Sequence, residues 1–228
     1  KKRLSKRHAA TSLNAYKEMG FTKETIINAL ALLGWSTENE IFSINELIES
    51  FRLQNVQRAA AVFDMKRFNW VSSQQLAKLS DDEFCDAIKP FMDEEGINEE
   101  APNYKAILHA MRTSKTNLKD IAHSTRPFFF ELEEYDEKGV KKFLNESLET
   151  LTFAHEMLSK LNEWNETELD MALINVRDYF NLPIPKVNQP MRIALVGSTI
   201  SPSLGLTLEL FGKEKSLERI EKAIDFIS

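Results

Sequence analysis

Five neighbouring residues near the start, Arg3, Leu4, Ser5, Lys6 and Arg7, set three cations and a small hydroxyl within one turn of chain. Such a group suits a polyphosphate. The cations neutralise negative charge as it builds on a leaving phosphate, and the serine hydrogen-bonds a phosphate oxygen. A basic surface patch or a targeting signal has the same composition, so the pattern alone leaves all three open. No Cys/His spacing fits a metal site. The single cysteine is Cys85, and His8, His109, His123 and His155 are scattered. One cysteine cannot form an internal disulfide, which fits a reducing, cytoplasmic compartment.

The rest of the charge is sorted into blocks. The net charge of −6 argues against indiscriminate nucleic-acid binding, but binding depends on local charge. Residues 103–119 hold four basic residues and no acid, and residues 52–80 hold five basic residues against Asp64 alone. Residues 183–208 hold Lys186 and Arg192 with no acid, whereas residues 79–100 hold nine acids against Lys89. Solvated helix faces explain any one block; three acid-poor blocks in an acidic chain suggest an anionic partner.

The elements that must position these groups read as helices. The chain has 228 residues, 43% of them hydrophobic, with 7 Gly and 7 Pro, enough for one or two domains. No run of about 18 apolar residues predicts a membrane span. Thr22 is a candidate N-cap for a helix over residues 21–34, with Ile26, Ile27, Leu30 and Leu33 as its apolar stripe and Gly34 as its stop. Ser43 with Glu46, and Ser80 with Glu83, form capping boxes ahead of apolar runs. Asp64 is placed to cap a helix carrying Met65, Phe68 and Trp70. Asn165 precedes Leu169, Ala172, Leu173, Val176 and Phe180 at helical spacing. Pro190 and Pro202 are expected at helix starts, with Gly197 and Gly212 as stops. Trp35 and Trp70 are expected to be core or helix-packing residues and not base-stacking platforms. No segment alternates with period two, so the fold class is mainly all-α. Residues 92–103 read as a surface connection.

The order of segments RLSKRHAATS, INALALLGWS, EIFSINELIESF and AVFDMKRFNWV, followed by VNQPMRIALVGSTISPSLGLTLELFGKEKSLERI, resembles bacterial-type glutamyl-tRNA synthetase, a class I aminoacyl-tRNA synthetase. The family shows KLSKRHGA in its KMSKS-type ATP loop, then forms close to NYLALLGWS, EIFSLEEL and VFDxxKLxWMN, and finally QPLRxALTGxxxSPGLFExxxLLGKExxLxRI. The similarity runs from residue 2 to about residue 222. It implies a fragment in which residues 1–12 are a remnant of the catalytic domain and 13–78 a stem-contact domain. Residues 79–126 and 127–228 would then be two anticodon-binding subdomains. The nucleotide-binding half and the glutamate pocket would lie upstream.

The resemblance also implies residue roles. Lys6 takes the signature catalytic position at the ATP phosphates, flanked by Arg3, Ser5 and Arg7. Arg3 replaces the family's Lys, and Ala9 its Gly. Gln189, Arg192, Ser201, Pro202 and Leu204 match positions that approach the second and third anticodon bases. Arg192 would bond or stack on a splayed base, Ser201 would donate and accept, and Pro202 and Leu204 would offer apolar faces. Ser203 stands where the family has Gly. Arg112, Ser114 and Lys115 match the segment that reads the first anticodon base. Ser114 stands where some members carry an Arg favouring tRNA-Glu over tRNA-Gln. Arg58, Lys66 and Arg67 would contact stem phosphates.

The implied whole is a monomeric glutamate–tRNA ligase that uses ATP with Mg2+, glutamate and tRNA-Glu. This chain alone is expected to be inactive, with no bound cofactor or metal. A parent directed toward tRNA-Gln, a non-catalytic RNA-binding adaptor and a generic protein-interaction module are the alternatives.

Overall fold

A computed structural model describes residues 12–35, 37, 39–57 and 63–228. Its described residues form thirteen α-helices and no strand, with one isolated bridge between Trp35 and Val56. The expected all-α class is what is observed. No helix among the described residues is long and apolar enough to cross a membrane. The chain divides into two compact units. One runs to Glu100 and takes in Lys115–Ser124; the other holds Ala101–Ser114 and Thr125–Ser228.

The first unit contains α1 (Leu13–Glu18), α2 (Lys23–Ala31), α3 (Ile44–Ser50), α4 (Met65–Lys78) and α5 (Asp81–Glu94). Its helix starts follow local chemistry. Thr22, Ser43, Asp64 and Ser80 each accept a backbone N–H from the first turn, and Ser43/Glu46 and Ser80/Glu83 close full capping boxes. Tyr16, Phe21, Phe63 and Phe68 cluster where α1, α2 and α4 meet, with Phe21 edge-on to Phe68 at 4.7 Å between centroids.

The interior of α2 differs from the expectation. The helix ends at Ala31, three residues short of Gly34, and its buried residues are Thr25, Asn28 and Ala29. Leu30, expected in the apolar stripe, is 44% exposed. A polar network turns the helix this way. Asn28 Nδ2 donates to the Glu40 carbonyl at 2.9 Å, and Gln75 Nε2 of α4 donates to Asn28 Oδ1 at 2.7 Å and to the Phe42 carbonyl at 2.9 Å. Thr25 Oγ1 meets Ser72 Oγ at 3.3 Å. Paired buried polar groups carry little penalty, so they compete with an aliphatic stripe for the inner face. Trp35 is buried edge-on to Phe42 as expected, but Trp70 is 43% exposed on the outer side of α4.

The second unit begins with α6 (Tyr104–Met111). It continues with α7 (Leu118–Phe129) from Thr125 onward and α8 (Glu137–Gly139), which runs into a π-helical turn at Val140–Leu144. Then come α9 (Leu148–Ser159), α10 (Glu166–Tyr179), α11 (Ile184–Val196), α12 (Leu204–Phe211) and α13 (Lys213–Ile227). Leu151, Leu158, Leu169, Val176, Met191, Ile193, Leu208 and Ile220 build one core shared by α9–α13. Asn165 caps α10, whose Leu169, Ala172, Leu173 and Val176 are buried as their spacing predicts. Pro190 is not a helix start. It lies inside α11, which begins after Pro183 with Pro185 in its first turn. A first-turn proline starts the helix at no hydrogen-bond cost, while Pro190 forfeits a bond to the Lys186 carbonyl and is kept by its burial.

Candidate nucleic-acid interface

The acid-poor block at 183–208 folds into α11, a short loop and α12. Gly197 ends α11 in the left-handed region (φ 72°), and the chain turns through residues 198–203 into α12. Ser203, not Pro202, is the N-cap residue, so Pro202 stands just before the helix. Ser203 Oγ donates to Glu166 Oε1 of α10 at 2.5 Å. Gly205 lets α12 lie directly on α10. A Cβ there would sit 2.6 Å from Asp170 Oδ1 and 2.7 Å from the Glu166 carbonyl, and the Gly205 N–H instead donates to Asp170 Oδ1 at 3.1 Å.

Arg192 braces this loop. Its Nε donates to Ser201 Oγ at 3.1 Å and its Nη2 to the Pro202 carbonyl at 3.1 Å. Ser201 Oγ donates to the same carbonyl at 3.0 Å, and Thr207 Oγ1 donates to the Ser203 carbonyl at 2.8 Å. Half-burial pushes the Arg192 guanidinium below its usual range, because desolvation penalises the charged form. Nη1 makes no bond among the described residues, so a fixed cation with open donors stands beside Pro202. A planar guanidinium held this way can donate to a base edge or stack on a base.

The other expected residues divide. Gln189 shares α11 with Arg192, three residues earlier, and its buried Oε1 has no partner among the described residues. Leu204 is a correction. At 2% exposure it belongs to the core and presents no apolar face to a base, because the first turn of α12 must bury its inner side. The exposed aliphatic group of the loop is Ile200, 53% exposed and missed in the sequence reading. Nothing in its spacing distinguishes it from a core isoleucine.

Arg112 is the C-cap of α6, and the Ser114 N–H donates to the Met111 carbonyl at 2.9 Å. Ser114 Oγ is buried without a partner. α6 packs on α12, with Asn103 Nδ2 donating to the Leu210 carbonyl at 3.1 Å. Lys115 belongs to the first unit. There, Lys66 is exposed on the first turn of α4, its N–H held by Asp64 Oδ1 at 2.8 Å. Arg67 Nη2 pairs with Glu40 Oε1 at 3.1 Å beside a polar cleft of about 260 Å³ that Trp35 and Gln57 also line. Arg3, Ser5, Lys6, Arg7 and Arg58 lie outside the described residues. No group of three or more His, Cys, Asp or Glu among the described residues could hold a metal ion.

Residues 83–224, more than half of the chain, match the family of the anticodon binding domain. The chain belongs to that family. The match takes in α5 after its first two residues, all of α6–α12 and most of α13, so α11, which carries Gln189 and Arg192, and α6, which Arg112 caps, both belong to this anticodon-binding domain. Residues 1–70 match the catalytic domain of tRNA synthetases class I (E and Q). The chain is 35% identical over 229 residues to the glutamate–tRNA ligase of Legionella pneumophila, covering 99% of this chain and 49% of that protein. It is 33% identical to the glutamate–tRNA ligase of Thermodesulfovibrio yellowstonii, covering 98% and 50%. A crystal structure of a glutamate tRNA ligase from Elizabethkingia meningosepticum superposes with a TM-score of 0.78 at 30% identity, over 93% of this chain and 43% of that one. The chain thus spans about half the length of the curated relatives it matches.

Proposed function

We propose that this chain is the tRNA-binding part of a glutamate–tRNA ligase. The observation that carries the reading is the Arg192–Ser201–Pro202 brace, a cation held against a half-buried loop whose Ile200 and Ser203 are exposed, within the segment that matches the anticodon-binding family. Arg112, Ser114, Lys115, Gln189, Arg192, Ser201 and Pro202 face the anticodon in this reading, with Ile200 replacing Leu204 as the apolar contact. Arg58, Lys66 and Arg67 contact phosphates of the stem, which adds affinity without reading sequence. Residues 13–78 act as the stem-contact region, and 79–126 and 127–228 as the two anticodon-binding parts.

In the parent enzyme, Lys6 with Arg3, Ser5 and Arg7 stabilises the triphosphate of ATP, held with Mg2+, while glutamate is activated and then passed to the tRNA. The parent works in the cytoplasm as a monomer, and this chain by itself does not aminoacylate. Titration of the 228-residue chain with a tRNA-Glu transcript tests the reading. A complex that weakens steeply with salt is expected, and no complex at low ionic strength overturns it.

Ser114 favours a second possibility for specificity. A short buried hydroxyl stands where some relatives carry an arginine that rejects tRNA-Gln, so the parent accepts tRNA-Gln as well as tRNA-Glu. Aminoacylation of each purified tRNA by the full-length enzyme decides this; strict rejection of tRNA-Gln rules the relaxed reading out.

A further inference from the structure

Arg219 of α13 is 3% exposed and forms no ion pair with a carboxylate among the described residues. A buried cation is costly unless hydrogen bonds and nearby charge offset its lost hydration; Glu131 and Glu218 attract this one through space without pairing with it. Here the Nη1 group donates to the Leu195 carbonyl and Nη2 donates to the Phe130 carbonyl at 2.7 Å, while Nε is buried without a partner among the described residues. Leu195 lies in the last turn of α11, and Phe130 directly follows α7. Both carbonyls belong to helix ends, where no partner exists within the helix and the dipole is negative. The guanidinium carbon also sits 4.5 Å above the ring of Phe211, the last residue of α12, and that ring stacks on Phe128 of α7 at 4.7 Å. One side chain therefore grips the end of α11, the end of α12 and the end of α7. The first two are the helices joined by the loop that Arg192 braces, and Arg192 stands three residues before Leu195.

We propose that Arg219 is a positioning residue for RNA reading: by bonding the α11 terminus and packing on the α12 terminus, it sets the angle at which Arg192, Ser201 and Pro202 meet the RNA. It touches no RNA itself. The inference rests on the proposed tRNA-binding role of α11 and α12. A planar fork is needed because the two carbonyls come from different helices; a lysine ammonium cannot offer the same paired donors while stacking on Phe211.

The test is binding of an unmodified tRNA-Glu transcript to the 228-residue chain, at a temperature where circular dichroism shows every variant fully folded. R219M keeps an unbranched chain in the site and removes the fork. It is expected to weaken binding about fivefold or more, as for residues that act through a packed network, with the salt slope unchanged. The R192A/R219M double variant is expected to lose less than the product of the single losses, because both act on one loop. Binding by R219M within about twofold of the wild-type chain, or a salt slope lower by about one, overturns the inference; the second result means a phosphate contact. If R219M does not fold, R219K is held to the same thresholds, with a loss above about twofold expected. A wild-type chain that binds no tRNA overturns the functional reading itself, which separates the two failures.

Discussion

At the scale of single residues, the polar side chains divide by what they bond. Arg192 spends two groups of donors on the loop it supports and keeps Nη1 open, so R192A removes a brace and, in the proposed reading, an RNA contact. The expected cost in tRNA affinity is about 1–3 kcal/mol, measured by titration at fixed salt. No loss would make it a scaffold residue. Gln75 serves the fold alone. Its Nε2 donates to Asn28 Oδ1 and to the Phe42 carbonyl, and Gln75→Ala would take this donor from the buried Phe42 carbonyl and leave Asn28 Oδ1 with the longer 3.3 Å bond from the Phe42 N–H. A loss of about 1–3 kcal/mol in urea unfolding is expected, with tRNA affinity unchanged for the folded chain. The sequence marked Arg192 through its family segment. It did not mark Gln75, because its partners lie 33 and 47 positions away.

At the scale of elements, start signals were the most legible feature. Thr22, Ser43, Asp64, Ser80 and Asn165 all cap helices, because a cap needs only its own first turn. Ser80→Ala should cost about 1 kcal/mol in thermal or urea unfolding. Helix ends and proline positions were less legible. Pro190 has the composition of a helix start, but the chain had already entered α11 at Ile184. Gly205 sets two effects against each other. Alanine in place of a helical glycine usually stabilises by about 0.5–1 kcal/mol. Here the added Cβ would fall 2.7 Å from the Glu166 carbonyl, a backbone atom that cannot rotate away. Overpacking wins, and Gly205→Ala should destabilise the second unit by about 1–3 kcal/mol. A rise in melting temperature would show that α10 and α12 can separate freely.

At the scale of the whole molecule, charge acts by arrangement. Glu131, Lys215, Glu218 and Lys222 form a surface network that ties α13 to the segment after α7; Lys222 Nζ lies 2.6 Å from Glu218 Oε1 and 3.2 Å from Glu131 Oε2. Hydrogen bonds from Lys215 and Lys222 hold the Glu131 carboxyl below its usual range, and those from Lys222 and Lys215 do the same for Glu218. Hydrogen bonds to Glu218 and Glu131 raise Lys222. The carboxylates therefore stabilise the fold above their unfolded value of about 4.3, and that contribution is lost as pH falls through the lower folded values. The lysine's contribution is full below about 10.4 and is lost as pH rises through its higher folded value. Melting temperature should thus drop on the acid side, with a shallower drop in E131Q/E218Q and in high salt. An identical acid profile in that variant would remove the network from the account.

What the sequence determined by itself was local or cumulative: the helical class, the caps, the sorted charge, and a family likeness carried by ordered segments. What only the tertiary structure decided was which way each side chain faces. Leu204 turned inward and Ile200 outward, α2 buried an asparagine in place of a leucine, and Arg219 closed on three helix ends. Spacing along a helix fixes which residues share a side. Which side is buried depends on partners brought from distant parts of the chain, and buried polar groups are stable only when those partners arrive.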